Sequence, residues 1–235
     1  LYDPPPPGVV VEPSHDPVTG DRLRWWENIP VFSWLALRGR SRYSGQKISI
    51  QYPLVELLVG LLTVLCAWRF GFGWQGFGAM VFTWFLVALS GIDLRTRLLP
   101  DQLTLSLMWL GLIASLDRLF IDPKPELLGA IAGYVSLWSV WWLFKQLTGK
   151  EGMGHGDFKL LAAIGAWVGL RGVLPVILLS SVVGAVIGSI WLAARGRDRA
   201  TPIPFGPYLA IAGWIVFFWG KPMVSAYLEF AGLGP

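Results

Sequence analysis

Charge is scarce in this chain. Only 14% of its 235 residues are charged, while 54% are hydrophobic and the mean hydropathy is +0.55. Soluble domains carry nearer a quarter charged residues, and a soluble protein this apolar would aggregate. An outer surface facing lipid accounts for the shortfall, because lipid-facing positions need no charge. Cysteine is nearly lacking as well. The single Cys66 lies inside an apolar run, which excludes an internal disulfide and a zinc knuckle and reads as a small buried hydrophobe. No Rossmann-type glycine loop is visible. No internal repeat stands out, so an inverted-repeat transporter gains no support. The chain begins at Leu1 without a segment resembling a signal peptide, and a preceding segment is an expectation.

What is present agrees with a membrane protein. The 14 Trp suit helices that meet headgroups. The basic residues behind the pI near 9.4 are scattered over loops and not gathered on one face, so they read as topology signals and not as a nucleic-acid surface. Residues 1–52 form a distinct N-terminal region. The proline run Pro4 to Pro7 marks 1–20 as poorly ordered. Residues 21–52 are expected to form a small extramembrane region whose Trp25, Trp26, Ile29, Phe32, Trp34 and Leu35 pack on the membrane surface.

From Tyr52 onward, long apolar runs alternate with short polar breaks. Seven spans are expected, at 53–69, 77–94, 99–117, 126–146, 157–171, 173–194 and 205–221. A span needs about 20 residues. The fifth, with a reach of only about 22 Å at 1.5 Å per residue, must start inside the membrane thickness or thin the bilayer. The fold class is therefore an all-α polytopic transmembrane bundle, divided into 1–52 and 53–235. Under alternate crossing, all but five of the 19 Lys and Arg fall on the face of residues 1–52. The five are Arg69, Arg118, Lys124, Arg171 and Lys221. The positive-inside rule then makes the richer face cytoplasmic. Small-xxx-small pairs, Gly129 with Gly133, Gly165 with Gly169 and Gly184 with Gly188, suit close helix packing.

Ionisable groups inside a membrane are costly and are functional candidates by default. Two acids qualify. Asp93 closes the second span in Ser90-Gly91-Ile92-Asp93, and Asp157 opens the fifth in Gly154-His155-Gly156-Asp157. Both lie at the cytoplasmic ends of their spans. Two facing carboxylates sharing a proton can hydrolyse a peptide bond: one draws a proton from water, the other polarises the carbonyl. Gly154 and Gly156 suit a tight turn or the close approach of an extended peptide. Asp157 at a helix N-terminus is expected to be the ionised partner, and Asp93 at a helix C-terminus the protonated one. Each Asp taken alone is more often a helix cap or an interface charge. Lys159 and His155 could tune the site, and Lys159 could equally snorkel to headgroups. Asp101 reads as a residue entering the third span. Asp117, Asp122 and Glu126 are expected in an exposed loop on the opposite face, and Glu56 has no evident role.

Five stretches then take on meaning together. They are Glu27-Asn28-Ile29-Pro30-Val31, Tyr52-Pro53-Leu54-Val55-Glu56, Ile92-Asp93-Leu94 with Leu99-Pro100-Asp101, Gly149 to Leu160, and Pro202 to Tyr208. In this order, between hydrophobic spans, the sequence resembles the bacterial type IV prepilin peptidases of type II secretion and type IV pilus systems. The resemblance implies an intramembrane aspartyl protease of the inner membrane with eight spans in the family. Its catalytic aspartates map onto Asp93 and Asp157. It implies prepilin and pseudopilin substrates, cut after a glycine on the cytoplasmic face, and methylation of the new N-terminus from S-adenosylmethionine. Glu27 and its neighbours are the candidate region for that second activity.

Two departures from the family stand out. Asp16, Thr19, Ser41 and Ser44 stand where the family often has two Cys-x-x-Cys pairs. Hydroxyls cannot supply thiolate ligation, so no structural zinc is expected, and proteolysis needs no metal. The family's first membrane helix, with its Gly-Ser-Phe-Leu-Asn-like run, is not found here. Competing readings are a proton- or ion-coupled transporter using the same two aspartates, a noncatalytic scaffold of a secretion apparatus, and a presenilin-like or preflagellin peptidase. The first is disfavoured by both acids lying near one face, the last by Ile203-Pro204-Phe205-Gly206-Pro207.

Overall fold

A computed structural model describes residues 14–16, 18–150, 152–195 and 204–230 of the chain. The proline run Pro4 to Pro7, Glu151, Arg197, Arg199, Pro202 and Ile203 lie outside the described residues. Regular structure among the described residues is helical. A single 3-10 turn at Trp25–Asn28 precedes eight α-helices: α1 (Phe32–Ala36), α2 (Gln51–Phe70), α3 (Trp74–Thr96), α4 (Asp101–Leu116), α5 (Pro123–Thr148), α6 (His155–Val168), α7 (Leu170–Arg195) and α8 (Gly206–Phe230). Each of the seven expected spans coincides with one of α2 to α8. Four regions, Gln51–Phe70, Trp74–Thr96, Pro123–Thr148 and Leu170–Ile190, are long and apolar enough to cross a bilayer, and α4 and the first part of α8 are shorter apolar helices. The all-α polytopic reading holds.

The chain falls into two compact units, Leu1–Leu65 and Cys66–Pro235. Among its described residues the first has almost no apolar core and is held by polar knots. Asp16 is buried. Its carboxylate accepts hydrogen bonds from the hydroxyls of Ser41 and Ser44, the latter at 2.9 Å, and from the backbone N–H groups of Val18 and Thr19 at 2.9 and 3.1 Å. These residues tie the turn at 16–20 to the turn at 41–44. The described part of 1–20 is thus pinned, not loose as its composition suggested, because one carboxylate satisfies donors from two loops. Short antiparallel bridges, His15 with Arg22 and Arg40 with Lys47, flank the knot. Glu27 accepts from the Arg24 backbone at 2.8 Å and from the Tyr43 hydroxyl at 3.1 Å. Glu56, left without a role by the sequence, accepts the Val31 N–H at 2.8 Å. Val31 has a φ of 63°, an unusual conformation for a β-branched residue, and Glu56 satisfies the N–H it presents.

The second unit is built around α6. From Asp157 to Val168 every residue of this helix except Lys159 is buried, and α6 packs on α4, α5, α7 and α8. With 14 residues it reaches about 21 Å. It is walled by protein and not by lipid, so neither a full span length nor a thinned bilayer is required of it. The expected boundary of this span at 171 shifts: Gly169, with φ 70°, ends α6 and α7 starts at Leu170. The glycines of α5 and α6 act as the sequence suggests, whereas Gly184 faces the side chains of Tyr208 and Phe205. Gly129 of α5 meets the backbone of Gly165 and Gly169, and Gly133 meets that of Leu161, so a Cβ at either α5 position has no room. Phe82, Leu89, Leu107, Phe158, Leu161, Ile164 and Leu209 fill the centre. The Trp167 indole donates to the Leu107 carbonyl at 2.9 Å and rests where Gly111 leaves space.

Glu126 corrects one expectation. It is 1% exposed, not part of an exposed loop. α5 begins three residues earlier than the apolar run does, at Pro123. That places Glu126 in the first helical turn, where the dipole accepts an acid. There it takes a hydrogen bond from Ser115 of α4. Asp117 and Asp122 are exposed as expected.

Candidate active site

Asp93 sits in the last turn of α3, 4% exposed, and Asp157 in the first turn of α6, 8% exposed. α3 stops one turn beyond Asp93 because Arg97 turns left-handed at φ 56° and its N–H returns to the Asp93 carbonyl at 2.8 Å. α6 starts at His155, with Gly154 as its N-cap, and so carries Asp157 in its first turn. The Gly154 backbone also donates to the Asp157 carboxylate, half of a capping box. The two carboxylates are close enough to act on one another electrostatically.

The helices carrying them are not packed side by side. α4 and α8 each pack on both α3 and α6 and bring the two ends together. The start of α8 completes the site: the Gly206 N–H donates to Asp93 Oδ2 at 3.0 Å. A Cβ at Gly206 would stand 2.6 Å from the same oxygen, so only glycine lets the backbone come this close. Gly206 belongs to a stretch the sequence singled out by resemblance, but nothing in the sequence gave it this role, because its partner lies 113 residues away. Its position also removes the basis for the expected asymmetry. Asp93 is at the C-terminus of its own helix, yet it faces the N-terminus of α8. Both carboxylates therefore see a helix N-terminus, and the dipole argument no longer separates them.

The supporting residues divide. A Cβ at Gly154 would make ordinary van der Waals contact with Asp157 Oδ2 at 3.6 Å, so packing does not demand glycine there. Gly156 serves packing, since a Cβ would stand 2.8 Å from Leu99 Cβ. Leu99 also reaches Gly206, so one side chain wedges between the turns that carry the two aspartates. Lys159 touches neither aspartate of the pair. It forks onto Asp101 at 2.6 and 2.7 Å, tying α6 to the start of α4. His155 is an aromatic neighbour of Trp141 and Phe158, with centroids 4.9 and 5.5 Å apart. Among the described residues no group of three or more His, Cys, Asp or Glu could hold a metal. Asp16, Thr19, Ser41 and Ser44 bond to one another and their neighbours instead, a hydroxyl-rich donor set that does not fit zinc.

Comparison with known proteins bears on this geometry. Residues 80–189 match the type IV leader peptidase family, and residues 3–70 match the bacterial peptidase A24 N-terminal domain. A prepilin leader peptidase/N-methyltransferase of Xanthomonas campestris pv. campestris is 77% identical over 99% of this chain and 81% of its own length. Proteins of the same name from Stutzerimonas stutzeri and Pseudomonas aeruginosa are 55% and 54% identical, over 94% and 95% of this chain and 76% and 77% of their lengths. No solved structure matches.

Proposed function

The chain belongs to the type IV leader peptidase family, and on that premise we propose that it is a membrane aspartyl endopeptidase whose catalytic pair is Asp93 and Asp157. It removes the short basic leader of prepilins and pseudopilins and methylates the N-terminus so exposed. The observation that carries the assignment of the pair is the convergence of two buried carboxylates from separate helix ends, each with one backbone donor.

The chemistry follows from one proton shared between them. The ionised carboxylate takes a proton from water as its oxygen bonds to the scissile carbonyl carbon. The protonated carboxyl gives its proton to the carbonyl oxygen. Collapse of the tetrahedral adduct breaks the C–N bond, and the proton taken from water passes to the leaving nitrogen. The exposed Gly154, without a side chain beside Asp157, suits the close approach of an extended peptide. Loop charge supports a site that opens to the cytoplasmic face of the inner membrane.

When bound, S-adenosylmethionine would supply an electrophilic methyl group for the new amine. Glu27 fits a part in holding it. It is buried, and its Oε1 has no hydrogen-bond partner while Oε2 is held by Arg24 and Tyr43. An orphaned carboxylate oxygen suits an ammonium or sulfonium cation.

The test is cleavage of a prepilin substrate in reconstituted membranes, read as leader loss on a gel. Asp93→Asn and Asp157→Asn each remove a charge and keep shape. Both are expected to abolish cleavage, a loss of about 100-fold to 10⁴-fold for removing an acid–base group. Cleavage retained in either variant removes that aspartate from the mechanism. Transport of ions or protons by the wild type without cleavage would instead favour the transporter reading.

A further inference from the structure

At the end of the second unit opposite the aspartates lies a cavity of about 1160 Å³. It opens between the end of α2, the α4–α5 turn, the α6–α7 break and α8. Its floor is aromatic: Phe120, Trp167 and Phe217 meet edge-on or tilted with centroids 4.9 to 6.1 Å apart. Its rim is cationic: Arg69, Lys124 and Arg171 all line it and all are exposed. These are three of the five basic residues that the topology leaves on this face, where positive charge is otherwise avoided. The other two are Lys221, whose side chain lies outside the described residues, and Arg118. The acid on the rim, Asp122, is already paired with Arg118 at 3.2 Å. Two helix N-termini also converge here. The first-turn residues Lys124 and Pro125 of α5, and Leu170 and Arg171 of α7, line the same opening. The positive dipole end of α7 adds to the pull on an anion, while that of α5 already faces Glu126.

We propose that this cavity holds one anionic phospholipid, its phosphate at Arg69, Lys124 and Arg171 and its acyl chain against Phe120, Trp167 and Phe217. Charge complementarity argues for the headgroup. The aromatic floor, in a protein whose flanking helices are apolar enough to sit in a bilayer, argues for the chain. Free phosphate would satisfy the rim alone and leave the half-buried Phe120 and Phe217 uncovered. A zwitterionic lipid would set its own cation against three others.

The experiment is native mass spectrometry of the full chain purified in neutral detergent. Phosphatidylglycerol is titrated in, with phosphatidylcholine and inorganic phosphate as separate arms. Wild type is expected to retain one phosphatidylglycerol and little phosphatidylcholine or phosphate. R69Q/K124Q/R171Q is expected to bind phosphatidylglycerol about 100-fold more weakly, at roughly fivefold per cation, while K150Q, remote in sequence from the cavity, binds as wild type does. The single exposed change K124E guards against misfolding of the triple variant, and a weaker but clear loss is expected of it. Equal retention of phosphatidylglycerol by wild type and variants overturns the proposal. So does equal retention of phosphatidylcholine, or inorganic phosphate held as tightly as the lipid. The readout is binding and not cleavage, so failure here leaves the peptidase assignment untouched, and failure of that assignment leaves this one standing.

Discussion

Two buried settings in this protein are built from the same residue type, and they do opposite things. Asp16 in the first unit accepts from Ser41, Ser44, Val18 and Thr19. Those bonds, with Ser41 foremost, hold its carboxyl well below the usual carboxylate range. Asp93 and Asp157 in the second unit have one backbone donor each among the described residues, from Gly206 and Gly154, and each has the other for a neighbour. A carboxylate saturated with donors is structural and chemically quiet. A pair left with spare lone pairs can share a proton and engage water. The number of donors around an aspartate, more than its burial, separates the scaffold from the chemistry.

The sharpest way to break the comparison is to exchange the consequences of one substitution. Asn at 93 or 157 is expected to remove cleavage by the factors given above. Asn at 16 is expected to leave the cleavage rate within a few-fold of wild type while making the first unit more open to limited proteolysis. Cleavage lost equally in all three would show that Asp16 is not merely structural.

A second, smaller effect concerns Gly206. Alanine there sets a methyl group against the Asp93 carboxylate, and crowding of this kind costs about 1–3 kcal/mol. The expected result is a kcat lowered by roughly 10-fold to 100-fold with little change in KM, since 1.4 kcal/mol is a factor of ten. Gly154→Ala should act differently, because its methyl would meet no clash but would stand where substrate passes. A raised KM is expected, measured with the same prepilin.

Acid titration probes the other side. Asp16 is depressed in the folded state, so its contribution is complete above the ordinary carboxylate pKa and is lost only as pH falls through its lower folded value. Amide exchange at Val18 and Thr19 should therefore stay protected at pH 4 and open only in stronger acid. Ser41→Ala, which removes the foremost bond, should move that opening to higher pH. The smallest effect is expected at Lys159. Its pair with Asp101 is partly exposed, and such pairs contribute about 0–1 kcal/mol. Lys159→Met should lower the thermal midpoint by a few degrees at most and cleavage by less than fivefold.

Much of this was legible from the residues in order. The scarcity of charge, the seven apolar runs and the two acids at span ends follow from local composition, and the helices stand where the runs are. What misled was local too. Glu126 follows polar residues and so reads as loop, yet α5 starts early and buries it against Ser115. Asp16 stands in a stretch that reads as loose because its partners, Ser41 and Ser44, are some 25 residues on. Lys159 reads as a tuner of Asp157, but Asp101, 58 residues earlier, takes it.

The sequence by itself determined that the chain lives in a bilayer, that its acids are few, and which two of them are candidates for chemistry. Those conclusions need only the cost of charge in lipid and the length of a span, both of which are local. Only the tertiary structure decided that α4 and α8 unite two helices that are not packed side by side, and that Gly206 supplies a donor to Asp93 from the far end of the chain. It also decided that three scattered cations ring one cavity. Each of these depends on which helix faces which, and that is settled by the packing of α6 among its neighbours and not by any one segment's pattern.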